Sequence, residues 1–123
     1  MKTKFFLPLA LLILMLLAAC GGSPAPTPIG DATAGKAKFE STCVSCHGPD
    51  AKGLPNLGKD LTTSEFFKTT SDVDLVTFVL HGRPTSDPAN TTGVDMPPKG
   101  GNPVLTEQDI KDIISYLRTL QVP

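Results

Sequence analysis

The sequence has few aromatic residues, no excess of basic residues and only one short apolar run, for which a permanent transmembrane span is the weaker interpretation. Aromatic residues make up 6% of the 123 residues, so a single domain of this size has only a small apolar core of its own. The 11 basic residues are balanced by 12 acidic ones and form no stripe with interleaved aromatics, which argues against a nucleic-acid partner. The apolar run at residues 5–19 would span about 22 Å as a helix, short of a bilayer core of ~30 Å, and Pro8 interrupts it.

The first 20 residues have the pattern of an export signal. Lys2 and Lys4 precede the apolar run, as basic residues do in secretory signal peptides. Residues 17–20 read Leu-Ala-Ala-Cys and resemble the lipobox of bacterial lipoproteins, in which a peptidase cuts before the cysteine and the thiol is acylated. The resemblance implies a signal peptide over residues 1–19 and a lipid on Cys20. In the alternative interpretation the signal is cut elsewhere and Cys20 is one of its apolar residues.

Residues 20–30 are expected to form a lipidated tether ahead of the folded domain. They are rich in proline, glycine and serine, a composition that favours extended, solvated chain. The folded domain is then expected at residues 31–123, anchored at the outer face of the cytoplasmic membrane or in the periplasm or outer membrane. Loss of the signal removes two of the 11 basic residues, which leaves the mature chain mildly acidic.

The sequence Cys-Val-Ser-Cys-His at residues 43–47 is typical of covalent haem attachment. On one helical turn the two thiols can each add to a haem vinyl group, and the imidazole of the next residue can then point at the iron. The motif therefore predicts one haem c, bound covalently through Cys43 and Cys46, with His47 as an axial ligand of the iron.

Three other interpretations of the two cysteines are weaker. A disulfide between Cys43 and Cys46 would suit an oxidising compartment. A thioredoxin-like redox pair is expected beside a βαβ pattern, which this sequence does not show. A zinc site usually has four ligands, and His81 is the one further imidazole that the chain offers.

Residues 31–120 resemble the class I c-type cytochromes. Gly35 and Phe39 resemble the glycine and the aromatic residue at which the first helix of that family crosses the last. An apolar stripe with helical spacing lies near the end of the chain, where it can form the other side of this crossing. The stripe comprises Ile110, Ile113, Ile114, Leu117 and Leu120. Tyr116 lies where the family commonly has an aromatic residue in its last helix.

The same resemblance implies that Met96 is the second axial ligand. It lies in Asp-Met-Pro-Pro-Lys-Gly-Gly, at residues 95–101, which is similar to the methionine loop of the family. The prolines restrict this loop and the glycines allow tight turns. An open sixth position and ligation by His81 are the alternatives. His81 is expected instead to lie at a helix C-terminus just before Gly82, where the helix dipole favours it.

Pro55 follows the haem motif where the family has a proline whose carbonyl oxygen accepts the second ring proton of the ligand histidine. The resemblance implies this role for Pro55 toward His47, although the intervening stretch is shorter than in the mitochondrial type. Arg83 is a candidate partner of a haem propionate, and Lys99 of a propionate or a docking protein. Both cationic side chains are equally compatible with simple solvation.

Helix signals dominate the domain and predict an all-α fold of about four helices around one haem. The expected helices cover residues 32–42, 64–69, 71–81 and 106–121. Ser71 with Asp74, and Thr106 with Asp109, have the spacing of a capping box, and Gly82 lies at a helix C-cap position. The prolines and glycines that follow Gly82 predict a long loop over the methionine side of the haem.

These features predict an electron-transfer protein that is not an enzyme. With both axial positions filled, the iron changes oxidation state without binding a substrate. Weak, transient docking to membrane-bound redox complexes, as electron donor and acceptor, is expected. One alternative is a haem enzyme or a sensor of peroxide or gas with an open sixth position. Another is a fixed cytochrome subunit of a membrane oxidoreductase.

Overall fold

A computed structural model describes residues 27–122, which fold into five α-helices. The helices are α1 (Ala32–Thr42), α2 (Val44–His47), α3 (Glu65–Thr69), α4 (Asp72–His81) and α5 (Glu107–Thr119), and a 3₁₀ turn (Pro98–Gly101) precedes α5. Within the described range there are isolated β-bridges but no strand, so the predicted all-α class is confirmed. No helix in this part of the chain is long and apolar enough to span a membrane. The predicted signal peptide and Cys20 lie outside the described residues.

Side-chain caps set where the predicted helices begin. The hydroxyl groups of Ser64, Ser71 and Thr106 accept hydrogen bonds from backbone N–H groups in the first turns, so each of these residues precedes its helix by one position. Thr106 and Asp109 form a complete capping box, as their spacing predicts. The last helix ends at Thr119, two residues before the predicted end.

The α1 and α5 helices cross in direct backbone contact. A Cβ atom on Gly35 would lie 1.9 Å from the carbonyl oxygen of Asp112, so only glycine permits this approach. One turn further along α1, Phe39 is fully buried and its ring centroid lies 5.7 Å from that of Tyr116. The predicted crossing is therefore confirmed. Four members of the predicted stripe are buried in the core, namely Ile110, Ile113, Ile114 and Leu117.

Arg118 of α5 binds the junction between α3 and α4. Its guanidinium donates hydrogen bonds to the carbonyl oxygens of Phe67 and Thr70, at 2.6 and 2.7 Å. It also pairs with the Asp72 carboxylate at 2.8 Å. Alongside the buried Phe67, Leu75 and Val76, this one side chain therefore helps to orient the two helices against α5.

The chain ahead of α1 is docked on α5. The backbone N–H of Gly30 donates to the Ser115 hydroxyl, and that of Asp31 donates to the Asp112 carboxylate, both at 2.9 Å. Ile29 packs against the core. The folded part of the chain therefore begins at Ile29, two residues before the boundary predicted from composition.

Candidate haem site

The two cysteines and the histidine of the haem motif lie on one helical turn. Cys43 lies between α1 and α2 as the cap residue of both, and its carbonyl oxygen accepts hydrogen bonds from the N–H groups of Cys46 at 3.2 Å and His47 at 2.9 Å. Both thiols are free and half-buried. Burial, with the nearby Cys46 thiol as a second cause, raises the pKa of Cys43 to about 11. The predicted helical turn thus presents two thiols and one imidazole together.

The imidazole of His47 is oriented by a backbone carbonyl. Its Nδ1 atom lies 2.8 Å from the carbonyl oxygen of Lys59. Because a carbonyl can only accept, Nδ1 carries the ring proton and Nε2 keeps a free lone pair for a metal. Burial lowers the pKa of His47, partly offset by this hydrogen bond, so the ring is held in the neutral form that binds iron.

The prediction that the Pro55 carbonyl accepts the ring proton of His47 is therefore wrong. Pro55 is exposed at the tip of a tight turn in which the N–H groups of Leu57 and Gly58 both donate to the carbonyl oxygen of Leu54. The chain returns from this turn against α2, where a Cβ atom on Gly58 would lie 2.2 Å from the carbonyl oxygen of Cys46. This close passage brings the carbonyl of the next residue, and not that of the proline, to the imidazole.

Sequence reasoning missed Lys59 because the group that acts is its backbone carbonyl. Every residue carries such a group, so the side chain gives no signal of this role. The one local indication is Gly58, since a glycine often marks a close approach of two backbone segments.

The predicted site residues line one cavity of about 610 Å³, which is within the usual range for cofactor sites. Cys43, Cys46 and His47 lie along it together with Met96, whereas Pro55 does not. Much of the surrounding surface is apolar and comes from several helices, including Phe39, Phe66, Phe67, Phe78, Ile113 and Leu117. A flat, apolar cofactor would complete the small core that the low aromatic content predicts.

Met96 is held against the end of α4 by its backbone. Its N–H and carbonyl exchange hydrogen bonds with those of Arg83, at 2.9 and 2.8 Å. Gly82 ends α4 with a φ of +73°, and a Cβ atom there would lie 2.1 Å from the carbonyl oxygen of Met96. The predicted C-cap glycine thus also permits the close approach of the methionine segment.

Three cationic or titratable side chains near the cavity have distinct surroundings. The Arg83 guanidinium lies over the rings of both Phe66 and Phe78, 4.8 and 4.7 Å from their centroids. Its Nε is buried and has no hydrogen-bond acceptor in the described part of the chain, although the Asp87 carboxylate is 3.3 Å away in poor alignment.

Lys99 donates to two backbone carbonyls of the segment before α5. His81 donates back to the Thr77 carbonyl within α4, as its predicted structural role requires.

Known proteins resemble this chain over its folded part. The family model for cytochrome c matches residues 32–121. The chain is 36% identical over 98 residues to cytochrome c-554(547) of Halothiobacillus neapolitanus, covering 75% of this chain and 99% of that protein. It is 31% identical over 87 residues to cytochrome c-555 of Chlorobaculum thiosulfatiphilum, covering 71% and 93%. No solved structure matches the chain.

A further relative is a subunit of a larger assembly. The chain is 33% identical over 96 residues to the cbb3-type cytochrome c oxidase subunit CcoP of Rhodobacter capsulatus, covering 77% of this chain. The match covers 31% of that subunit, so the chain spans about a third of its length.

The helical fold and the cysteine pair beside an apolar cavity define a small haem-binding domain of the class I c type. The chain belongs to the cytochrome c family. The family carries one haem c bound covalently through cysteines, which are Cys43 and Cys46 in this chain, and it transfers electrons.

The residues present fit this cofactor. Two free thiols and a neutral imidazole face an apolar cavity of suitable volume. The buried Nε of Arg83, which has no acceptor among the described residues, suits a carboxylate such as a haem propionate.

Proposed function

We propose that this chain is an exported, lipid-anchored electron carrier, not an enzyme, whose single haem iron is held between His47 and Met96. The observation that carries the ligand pair is that these two side chains, from α2 and from the loop after α4, line the same apolar cavity. His47 has its Nε2 free and its Nδ1 bound, and Met96 is the one methionine of residues 27–122. The thioether and imidazole together favour a high reduction potential.

The bound haem supplies one-electron chemistry at its iron. The residues of the chain hold this centre still: α2 orients the imidazole, and the Arg83 pairing positions the methionine backbone. The apolar side chains around the cavity exclude water, so little rearranges when the charge changes. Because both axial positions would be filled by the chain, no position is left for a substrate, and this supports a carrier instead of a haem enzyme or gas sensor.

The anchor is proposed from the lipobox-like residues that end in Cys20. Residues 20–30 are the proposed tether, and its last two residues, Ile29 and Gly30, contact the folded domain. The anchor is tested by cell fractionation and intact mass. Cys20→Ser should move the protein from the membrane to the soluble fraction and remove the lipid mass; an unchanged membrane fraction would contradict lipid anchoring.

Membrane-bound redox complexes are the proposed donor and acceptor. The near-complete coverage of cytochromes c-555 and c-554(547) supports a mobile carrier. The similarity to the oxidase subunit CcoP favours a second candidate, a fixed subunit of a membrane oxidase. Extraction in mild detergent separates the two, because a fixed subunit should copurify with its complex in constant ratio and a mobile carrier should not.

Visible spectroscopy of the purified holoprotein tests the ligand pair. We expect the weak methionine-to-iron band of the oxidised form and no change of the reduced spectrum under carbon monoxide. Met96→Ala should abolish the band and admit carbon monoxide, while His81→Gln should change neither. Ready binding of carbon monoxide by the unmodified protein would instead favour an open sixth position and an enzyme or sensor.

A further inference from the structure

The loop that leads from α4 to Met96 has no buried side chain. Every residue from 84 to 95 is exposed or half-exposed, and Val94, its bulkiest apolar residue, lines the cavity proposed for the haem. Apolar packing within the polypeptide therefore does little to fix this segment, which we call the methionine loop. Its order depends on hydrogen bonds, and a loop that lacks them opens at little free-energy cost.

Asn90 makes most of the side-chain hydrogen bonds within this loop, whose two ends are also joined by a hydrogen bond from the Thr85 N–H to the Asp95 carboxylate. Its Oδ1 accepts from the backbone N–H groups of Thr92 at 3.2 Å and Gly93 at 3.0 Å, and also from the Thr92 hydroxyl. Its Nδ2 donates to the carbonyl oxygen of Val94 at 2.8 Å. One amide group thus uses both its acceptor and its donor to close the turn over residues 90–94.

The same amide reaches the backbone that holds Met96. The Nδ2 atom of Asn90 lies 3.5 Å from the carbonyl oxygen of Arg83. That carbonyl oxygen also accepts the hydrogen bond of the Met96 N–H, at 2.9 Å. Asn90 is half-buried and lies along the cavity, so it joins the exposed loop to the segment from which the methionine side chain extends.

We propose that Asn90 is a positioning residue for Met96, which keeps the thioether at the iron by closing the methionine loop onto the Arg83–Met96 backbone pair. This inference rests on the proposed function, in which Met96 is the sixth ligand. Without the Asn90 amide, the loop opens more often and an external ligand competes more easily for the sixth position.

Carbon monoxide binding to the reduced holoprotein measures this competition. We expect Asn90→Ala to weaken the methionine-to-iron band and to raise the apparent affinity for carbon monoxide about tenfold. The thermal unfolding midpoint should change little, because the loop buries no apolar side chain against the rest of the polypeptide. A purely structural role would lower the unfolding midpoint and leave the carbon monoxide affinity unchanged, which would overturn the inference.

Asn90→Asp separates the two halves of the amide. The aspartate keeps the acceptor oxygen for Thr92 and Gly93 but loses the donor that reaches Val94 and Arg83. Since the donor makes the link to the methionine segment, Asn90→Asp should raise the carbon monoxide affinity nearly as much as Asn90→Ala.

Ser86, in the same loop, provides matched controls. It is exposed, does not line the cavity and makes no hydrogen bond with any residue of the described range. Ser86→Ala and Ser86→Asp repeat the truncation and the added charge, and both should behave as the unmodified protein; a Ser86→Asp affinity equal to that of Asn90→Asp would overturn the role of the donor. If the unmodified protein has the methionine band and Asn90→Ala matches it in both measurements, the inference is wrong while Met96 ligation stands. If the unmodified protein lacks the band, the proposed ligation itself is wrong.

Discussion

The Nδ1 atom of His47 lies 2.8 Å from the backbone carbonyl oxygen of Lys59, twelve residues further along the chain. A hydrogen bond of this kind fixes the ring tautomer and makes the opposite nitrogen a stronger electron donor. Its acceptor cannot be removed by changing a side chain at Lys59. The bond depends instead on the close passage of Gly58 over the carbonyl oxygen of Cys46.

Gly58→Ala should raise the reduction potential of the haem. The added Cβ atom would meet the Cys46 carbonyl oxygen at 2.2 Å, which pushes residues 58–59 away and weakens the bond to His47. A less basic imidazole stabilises ferric iron less. A tenfold change in its affinity for ferric relative to ferrous iron corresponds to about 59 mV in the reduction potential. Redox titration measures the shift. Pro55→Ala is the control and should leave the potential unchanged; the opposite pattern would restore the proline as the histidine partner.

Gly35→Ala should destabilise the fold although alanine is the better helix former. The added methyl group would collide with the Asp112 carbonyl oxygen at 1.9 Å, and a backbone group cannot rotate away. We expect a net loss of about 1–3 kcal/mol in the free energy of unfolding, measured by denaturant titration. Ala37→Gly on the exposed side of α1 reports helix propensity alone, at about 1 kcal/mol. A more stable Gly35→Ala protein would contradict the tight crossing.

Arg118→Gln should cost about 1.5–3 kcal/mol of unfolding free energy. The substitution removes the charged donors from the carbonyl oxygens of Phe67 and Thr70 and breaks the pair with Asp72. Lys111→Gln breaks the surface pair with Glu107 and should cost less than about 0.5 kcal/mol. Chemical denaturation compares the two variants, and equal losses would show that the guanidinium contacts contribute nothing specific.

The capping box of α5 should make the protein sensitive to acid. Hydrogen bonds from the Thr106 backbone and hydroxyl, followed by one from Lys38, lower the pKa of Asp109 to about 2. A carboxyl group with a lowered folded-state pKa stabilises the fold above its unfolded pKa of about 3.9, and this contribution is lost as the pH falls toward 2. Asp109→Asn should therefore reduce the pH dependence of stability between about pH 4 and 2. An unchanged slope in that window, from thermal melts, would exclude this role.

The double substitution Cys43→Ala and Cys46→Ala should leave a largely unfolded chain. The cavity of about 610 Å³ lies between the helices, and without the covalent cofactor its apolar side chains face water. Far-ultraviolet circular dichroism should show the loss of most helix signal. Ser45→Ala, between the two cysteines and exposed, should keep the native spectrum. A native-like spectrum of the double variant would show that the polypeptide core suffices.

Local chemistry made much of the fold predictable. Ser64, Ser71 and Thr106 cap helices because their hydroxyl groups satisfy backbone donors within three residues, and this spacing can be seen in the sequence. Gly35 was predictable from the resemblance to c-type cytochromes, and its contact with Asp112 explains why the family has glycine there.

Contacts of side chains with distant backbone carbonyls were not predictable. The carbonyl oxygens of Lys59, Phe67 and Thr70 accept bonds that orient the site, but backbone carbonyls are present at every position. The Asn90 amide was equally hidden, because its partners are defined only when the methionine loop has closed. Pro55 is the opposite case. Its residue type and position made it the predicted partner of His47, but it lies in a separate turn and does not reach the imidazole.

The crossing of α1 and α5 joins the two ends of the domain, as the bond between Asp31 and Asp112 spans 81 positions of the sequence. A ribosome releases the chain from its amino end, so the haem-attachment cysteines emerge long before the helix that closes over them. Closing so long a loop is also slow compared with forming a single helical turn. Because the chain without haem is expected to stay largely unfolded, the attachment motif is accessible until the cofactor is bound, and the last helix docks only after attachment.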